Sequence, residues 1–155
     1  ASGVSKFLAN FTELDPAINI YNDLTEILYG RIETELSRSL DLHIPLSLIL
    51  LSIKNFKRFY DRFGRIEMNK LFEKISVIIK SKLYSADFSV RIDRHKFMLI
   101  LPGKDRKYST TLSSILKNEI SDLYSNSDFK LLVNSAISVY PEDGNDLFSL
   151  LEVIE

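Results

Sequence analysis

Residues 46–53 read Leu-Ser-Leu-Ile-Leu-Leu-Ser-Ile behind Pro45, a nearly unbroken apolar run. Its length suits a strand. Successive side chains of a strand point to opposite faces, so a run that stays apolar at almost every position predicts a strand covered on both sides. Such a strand belongs at the centre of a sheet with a layer packed on each face, and the rest of the chain has to supply those layers.

Helical patterns flank it. From residue 22, Leu24, Ile27, Leu28, Ile32, Leu36 and Leu40 recur at helical spacing, with Asn22 or Asp23 as a plausible cap. After the central run, Phe56, Phe59, Tyr60 and Phe63 predict a short helix ending at Gly64, its aromatics used for packing. Leu71, Ile75, Ile78, Ile79 and Leu83 form the stripe of a longer one. Residues 88–92 alternate as a strand does and residues 97–101 are apolar again, so the four residues between them form a hairpin turn. Leu112, Ile115, Leu116, Ile120 and Leu123 then mark a helix, followed by a polar loop at 125–128 and a strand over 130–139. A turn at Tyr140-Pro141-Glu142-Asp143-Gly144 precedes a last helix carrying Leu147, Phe148, Leu150, Leu151 and Ile154. The pattern predicts an α+β domain, a central mainly antiparallel sheet flanked by helices.

At 155 residues and 45% hydrophobic content the chain fills one core. Twenty basic against twenty-one acidic side chains give a formal net charge of −1, so no global field recruits nucleic acid or an anionic membrane. The absence of cysteine excludes disulfides and thiolate metal sites and fits a reducing compartment. With no signal peptide and no run of roughly 18 apolar residues, the expectation is a cytoplasmic domain without membrane insertion of its own, compatible with a membrane-anchored parent protein.

Val4, Phe7, Phe11 and Leu14 follow the alternating spacing of a coiled-coil seam ahead of Asp15-Pro16. Residues 1–14 are therefore either an amphipathic segment docked on its own domain or the tail of a connector helix from an upstream domain, with a homodimer through this helix as a further expectation, and the domain proper is placed at 15–155.

Several segments carry a family resemblance. Asp15-Pro16, Ile20 and Tyr21-Asn22 open the domain; Ile53, Phe56 and Lys57 end the central strand; Asp61 and Gly64 follow. Arg91, Phe97 and Pro102 frame the hairpin, and Val139-Tyr140-Pro141-Glu142-Asp143-Gly144 closes the last strand. In this order they resemble the GGDEF family, the diguanylate cyclases that join two GTP molecules into cyclic di-GMP. The resemblance implies a nucleotide cyclase or palm-type fold, with a last helix and closing strand cut short at Glu155.

It also implies a loss of chemistry. The family's magnesium-bearing positions fall on Ser52 and His95, 43 residues apart, and the signature glutamate falls on Lys96. Hard cations take carboxylate oxygens, and at an effective dielectric of about 20 each unit-charge pair at ~4 Å is worth ~4 kcal/mol. Exchanging carboxylate for ammonium thus opposes a divalent ion by several kcal/mol. The signature glycines become Asp93 and Arg94, whose side chains fill space that the family leaves to phosphate. The guanine-contacting positions become Tyr60 and Asn69, and the inhibitory product site keeps only Asp87 beside Tyr84. The expectation is therefore no catalytic residue, no metal, no cofactor, and a regulatory domain acting through protein contacts with other domains of its parent, a signalling partner or a second copy. The alternative is a metal-free receptor for GTP or cyclic di-GMP, with Lys54, Asn69, Arg94 and Lys96 holding the nucleotide.

Three plainer readings stand beside these. Lys54, Arg58, Arg62 and Arg65 form a solvated basic face rather than a nucleic-acid surface. His95 is expected to be a water-exposed tip residue, not a ligand. Tyr84 and Phe88 are expected to pack at the end of a helix and the start of a strand.

Overall fold

The computed structural model describes the fold over residues 18–155 and side chains from residue 26 onward. The expected connector over 1–14 and the family's opening Asp15-Pro16 lie outside the described residues. In chain order the elements are α1 (Ile18–Leu42), β1 (Leu46–Ile53), α2 (Phe56–Lys82), β2 (Phe88–Asp93), β3 (Lys96–Pro102), α3 (Arg106–Ser121), a 3-10 turn (Ser125–Ser127), β4 (Val133–Tyr140) and α4 (Leu147–Ile154). Among the described residues no helix is long and apolar enough to cross a membrane.

β1 is buried at every position and lies inside a four-stranded sheet of order β2-β3-β1-β4. All pairings are antiparallel, with Leu46 opposite Pro102 and Tyr140 at one end of β1 and Ser52 opposite Lys96 and Asn134 near the other. The two-residue period of the strand divides its apolar side chains between two cores. Ile49, Leu51 and Ile53 join α2 and α3, whereas Leu46, Leu48 and Leu50 join α1 and α4. The sequence expectation of a doubly covered central strand holds, and so does the α+β class.

α1 starts earlier than its cap residues suggested, so Asn22 and Asp23 lie within it. Its buried line is Leu28, Ile32, Glu35, Leu36 and Ser39, while Ile27 is 67% exposed and Leu40 44% exposed. At about 100° per residue a row of every fourth residue drifts about 40° per step, so Leu40 has turned roughly 120° away from Leu28 and Ser39 has replaced it at the sheet. Ile115 and Phe148, also expected in the stripes of their helices, are likewise exposed.

The predicted break in the second helix is present: Gly64 takes φ 84°, ψ 177°, and helical residues continue on both sides. That φ is open to glycine at no steric cost. The N-terminal stretch carries an aromatic cluster in which the Phe59 ring lies 4.7 Å from Phe63, 4.7 Å from Tyr124 and 5.5 Å from Phe129. Side-chain oxygens cap the later helices, Asp105 accepting from the Tyr108 N–H at 2.9 Å and Asp146 from the Ser149 N–H at 2.8 Å.

β4 begins at Val133, three residues later than expected. Residues 130–132 are diverted to the start of α2, where Asn55 Nδ2 donates to the Lys130 carbonyl and Asn55 Oδ1 accepts from the Leu132 N–H, each at 2.9 Å. The Lys54 N–H donates to the Leu132 carbonyl at 2.7 Å. These bonds bring the end of β1, the start of α2 and the entry to β4 to one place, next to the β2–β3 hairpin.

Candidate functional site

The hairpin is tighter than the four-residue turn expected. Asp93 pairs with Lys96, which leaves Arg94 and His95 as the loop, and the register shifts between Arg91 and Asp93. Arg91 holds this irregularity by donating from Nε to the Asp93 carbonyl and from Nη2 to the Arg94 carbonyl, both at 3.2 Å, while its guanidinium lies 4.1 Å from the centroid of the Phe72 ring. Asp93, itself buried, accepts the Arg94 N–H on Oδ1.

His95 is not the water-exposed residue expected. Its ring stacks on Phe56, the first residue of α2, with centroids 4.2 Å apart and planes at 10°. Nδ1 is buried without a hydrogen-bond partner, 3.6 Å from Asp93 Oδ1, and the His95 carbonyl accepts the Ile53 N–H at 2.9 Å. The tip therefore folds back onto the end of β1 because an aromatic side chain waits there. Burial lowers the His95 pKa from its ordinary 6.5; Asp93 opposes the shift, and Lys96 and Lys54 reinforce it.

A lowered folded-state value means that the unfolded chain binds the proton more readily, so stability should fall as pH drops from above 6.5 through the folded value. Acid denaturation midpoints read over that window should lose this slope in His95→Phe, which keeps the stack and removes the titration. A His95 imidazole resonance titrating above 6.5 would contradict the burial argument.

The resemblance implies a divalent cation at Ser52 and His95. Ser52 sits opposite Lys96 across the ladder, and the ammonium groups of Lys96 and Lys54 are close enough to act on His95. Ser52 and His95 offer one hydroxyl and one imidazole nitrogen, beside the Asp93 carboxylate and the Lys54 and Lys96 ammonium groups, a poorer oxygen set than the several anionic or carbonyl oxygens that a hard divalent ion takes.

On the other side of the tip a cavity of about 680 Å³ opens between α2 and β2. Tyr60, Asn69, Asp93 and Arg94 line it, together with Arg65 and Arg91. Ser52, Lys54, His95 and Lys96 do not line it. The expected basic face is divided: Lys54 precedes the helix, the Gly64 break turns Arg65 into this cavity, and Arg58 and Arg62 border a different groove. Arg62 is occupied there, donating to the carbonyls of Ser127 at 2.6 Å and Asp128 at 3.3 Å.

Tyr84 and Asp87 lie at the opposite end of β2. Asp87 has a fully buried side chain; its Oδ2 accepts the Tyr84 N–H at 2.9 Å and its Oδ1 lies 3.6 Å from Lys104 Nζ. The ammonium also sits 5.4 Å from the Tyr84 ring centroid and 5.5 Å from that of Tyr108. Tyr84 remains 67% exposed rather than packed, and Phe88 carries the Arg31 guanidinium 4.1 Å from its ring centroid. Sequence reading missed Lys104 because its approach depends on the turn after β3, where Gly103 takes φ 77° and the Lys104 carbonyl accepts the Ser47 hydroxyl at 2.7 Å.

Residues 12–155 match the family model described as "Diguanylate cyclase, GGDEF domain". Diguanylate cyclase DgcP of Pseudomonas aeruginosa is 30% identical over 94 residues, 61% of this chain and 14% of that protein. The Bacillus subtilis protein YhcK is 21% identical over 145 residues, 89% of this chain and 38% of that protein. The chain thus spans well under half the length of either relative. Among solved structures, the active GGEEF domain of a diguanylate cyclase from Vibrio cholerae superposes with TM-score 0.68 at 18% identity, over 74% of each chain. A sensory box/GGDEF family protein from Caulobacter crescentus gives 0.69 at 19% identity, over 81% of this chain and 84% of that one.

Proposed function

The chain belongs to the GGDEF family of diguanylate cyclase domains, and from that premise we propose that it has lost the cyclase reaction and serves cyclic di-GMP signalling as a regulatory domain. The observation that carries this reading is the replacement of carboxylates by Ser52, His95 and Lys96, with the imidazole laid on Phe56 and two ammonium groups acting on it. Phosphoryl transfer rests almost wholly on metal, positioning and electrostatics, so a site that repels the metal has no route to the attacking hydroxyl or the leaving pyrophosphate. Incubated with GTP and magnesium or manganese, the domain should release no pyrophosphate above a heat-killed control; sustained release would refute the reading.

Product feedback is lost with it. The carboxylate that would hold cyclic di-GMP is engaged by Lys104 and a backbone N–H, and tyrosine stands where a bidentate arginine is needed. Calorimetry with cyclic di-GMP should show no heat of binding at this segment, and micromolar binding abolished by Asp87→Ala would contradict it.

What remains is contact with protein, either other domains of the parent, a signalling partner or a second copy engaged through residues 1–14. Phe7, Phe11 and Leu14 carry apolar area worth about 25 cal/mol per Å² on burial. Replacing Phe7 and Phe11 by serine should abolish association in analytical ultracentrifugation and leave the thermal melt of the domain nearly unchanged. A collapsed melt would place both residues in the domain's own core.

A further inference from the structure

Away from the hairpin, the outer face of the α2–α3 layer opens into a further groove. It measures about 630 Å³ and lies between the last turns of α2 and the first turns of α3. Ser81 and Tyr84 wall one side and Tyr108, Thr111 and Ile115 the other, over Leu112. Val77 stands one turn before Ser81 on the same face of α2 and is 68% exposed. The rows Val77-Ser81-Tyr84 and Tyr108-Thr111-Ile115 both step by three and four residues, so a third helix laid along the groove meets each row at every turn. Ser81 and Thr111 are small and leave the trough open at the middle of both rows. The core does not need these positions, because α2 and α3 bury other rows, Leu71, Ile75 and Ile79 on one and Leu112, Leu116 and Ile120 on the other. Val77, Tyr84 and Ile115 are thus apolar surface left in water.

The uncompensated charge around the groove is positive. Its carboxylates are engaged: Glu119 by Lys82 at 3.0 Å, Asp87 by Lys104 at 3.6 Å, and Asp105 as the cap of α3. Among the described residues the ion pairs reach Lys82 and Lys104 but not Lys80 or Lys107. Lys107 stands in the first turn of α3, which holds no acidic residue, and so faces the positive end of the helix dipole; Arg106 beside it is neutralised by Glu142 and Asp143. A carboxylate brought from outside relieves that repulsion. We propose that the groove receives an acidic amphipathic helix of a protein partner. Its apolar residues lie on Tyr84, Tyr108 and Ile115, and its carboxylates flank them at Lys80 and Lys107. Burial of the apolar row sets affinity, and the lysines fix the direction of the helix. The inference rests on the regulatory reading above and supplies the protein contact which that reading calls for.

The test selects a phage-displayed library of random peptides, each about 16 residues or four to five helical turns, against the full chain. Enriched peptides are then synthesised and titrated by fluorescence anisotropy. They should carry aspartate or glutamate beside aliphatic or aromatic residues at three- and four-residue spacing. Ile115→Glu should weaken them at least about tenfold and Lys107→Glu about fivefold, the second loss being regained when one peptide glutamate is exchanged for lysine. Both side chains are exposed, so the thermal melt should stay unchanged. Enriched peptides without acidic residues, or affinities indifferent to both substitutions, would overturn the proposal. Flotation with phosphatidylglycerol vesicles at about 0.15 M salt should leave the protein unbound. Vesicle binding that Lys107→Glu abolishes would assign this face to a lipid surface and overturn the helix. Cyclic di-GMP formed from GTP by the same protein would instead overturn the proposed loss of catalysis, so the two failures are separable.

Discussion

Phe59→Ala should lower the free energy of unfolding by about 3–5 kcal/mol, a large share of the 5–15 kcal/mol that typically holds a domain. Phe59 is fully buried, and its ring meets those of Phe63, Tyr124 and Phe129, which come from the first stretch of α2, the segment after α3 and the approach to β4. Truncation removes the transfer energy of the ring and leaves a cavity, because three aromatic neighbours held by separate elements cannot collapse into it together. Phe63→Ala makes the comparison, since that ring is only partly buried and should cost markedly less. Urea denaturation reads both; a loss below about 1 kcal/mol for Phe59→Ala would mean that the aromatic cluster does not anchor the start of α2.

Restoring carboxylates at all three altered positions, in Ser52→Asp, His95→Asp and Lys96→Glu, should still yield no cyclic di-GMP. The exchange repairs the donor set and removes one ammonium group, but it leaves the side chains of Asp93 and Arg94 in the phosphate approach and Tyr60 in place of an amide. It also removes the imidazole from Phe56 and brings a second carboxylate toward Asp93, which lies 3.6 Å from His95 Nδ1. Two like charges placed side by side repel and loosen the tip. The variant should melt lower than the parent and show no product; rescue by these three changes alone would mean that Tyr60, Asp93 and Arg94 do not obstruct the nucleotide.

Periodicity made most of the architecture legible. The apolar run at 46–53 led directly to a strand covered on both faces, and Gly64 to the break in α2, because both depend on local rules that tertiary contacts did not override. The start of β4 was misplaced because Asn55, far away in sequence, bonds to residues 130 and 132 and pulls that backbone out of the ladder. In α1 the row from Leu28 drifted off the sheet by Leu40, and Ile27 lies about 100° to one side of Leu28, so both read as core and are not.

The site divides in the same way. Which residues stand at the hairpin tip was readable from spacing to the flanking motifs. What the tip touches was not: His95 was expected in water, and nothing short of the fold brings Phe56 beneath it. Lys104 at Asp87 and Arg65 in the cavity were hidden for the same reason, since a glycine in the left-handed or positive-φ region redirected each backbone first.

The proposed loss of cyclisation is tested most directly by prolonged incubation of the domain with GTP and manganese, followed by chromatography with mass detection for cyclic di-GMP beside a catalytically competent GGDEF domain. The account predicts product from the competent domain and none from this one above a heat-killed control. Cyclic di-GMP accumulating in proportion to protein and time, and absent in His95→Ala, would show that Ser52, His95 and Lys96 form a working site and would contradict it.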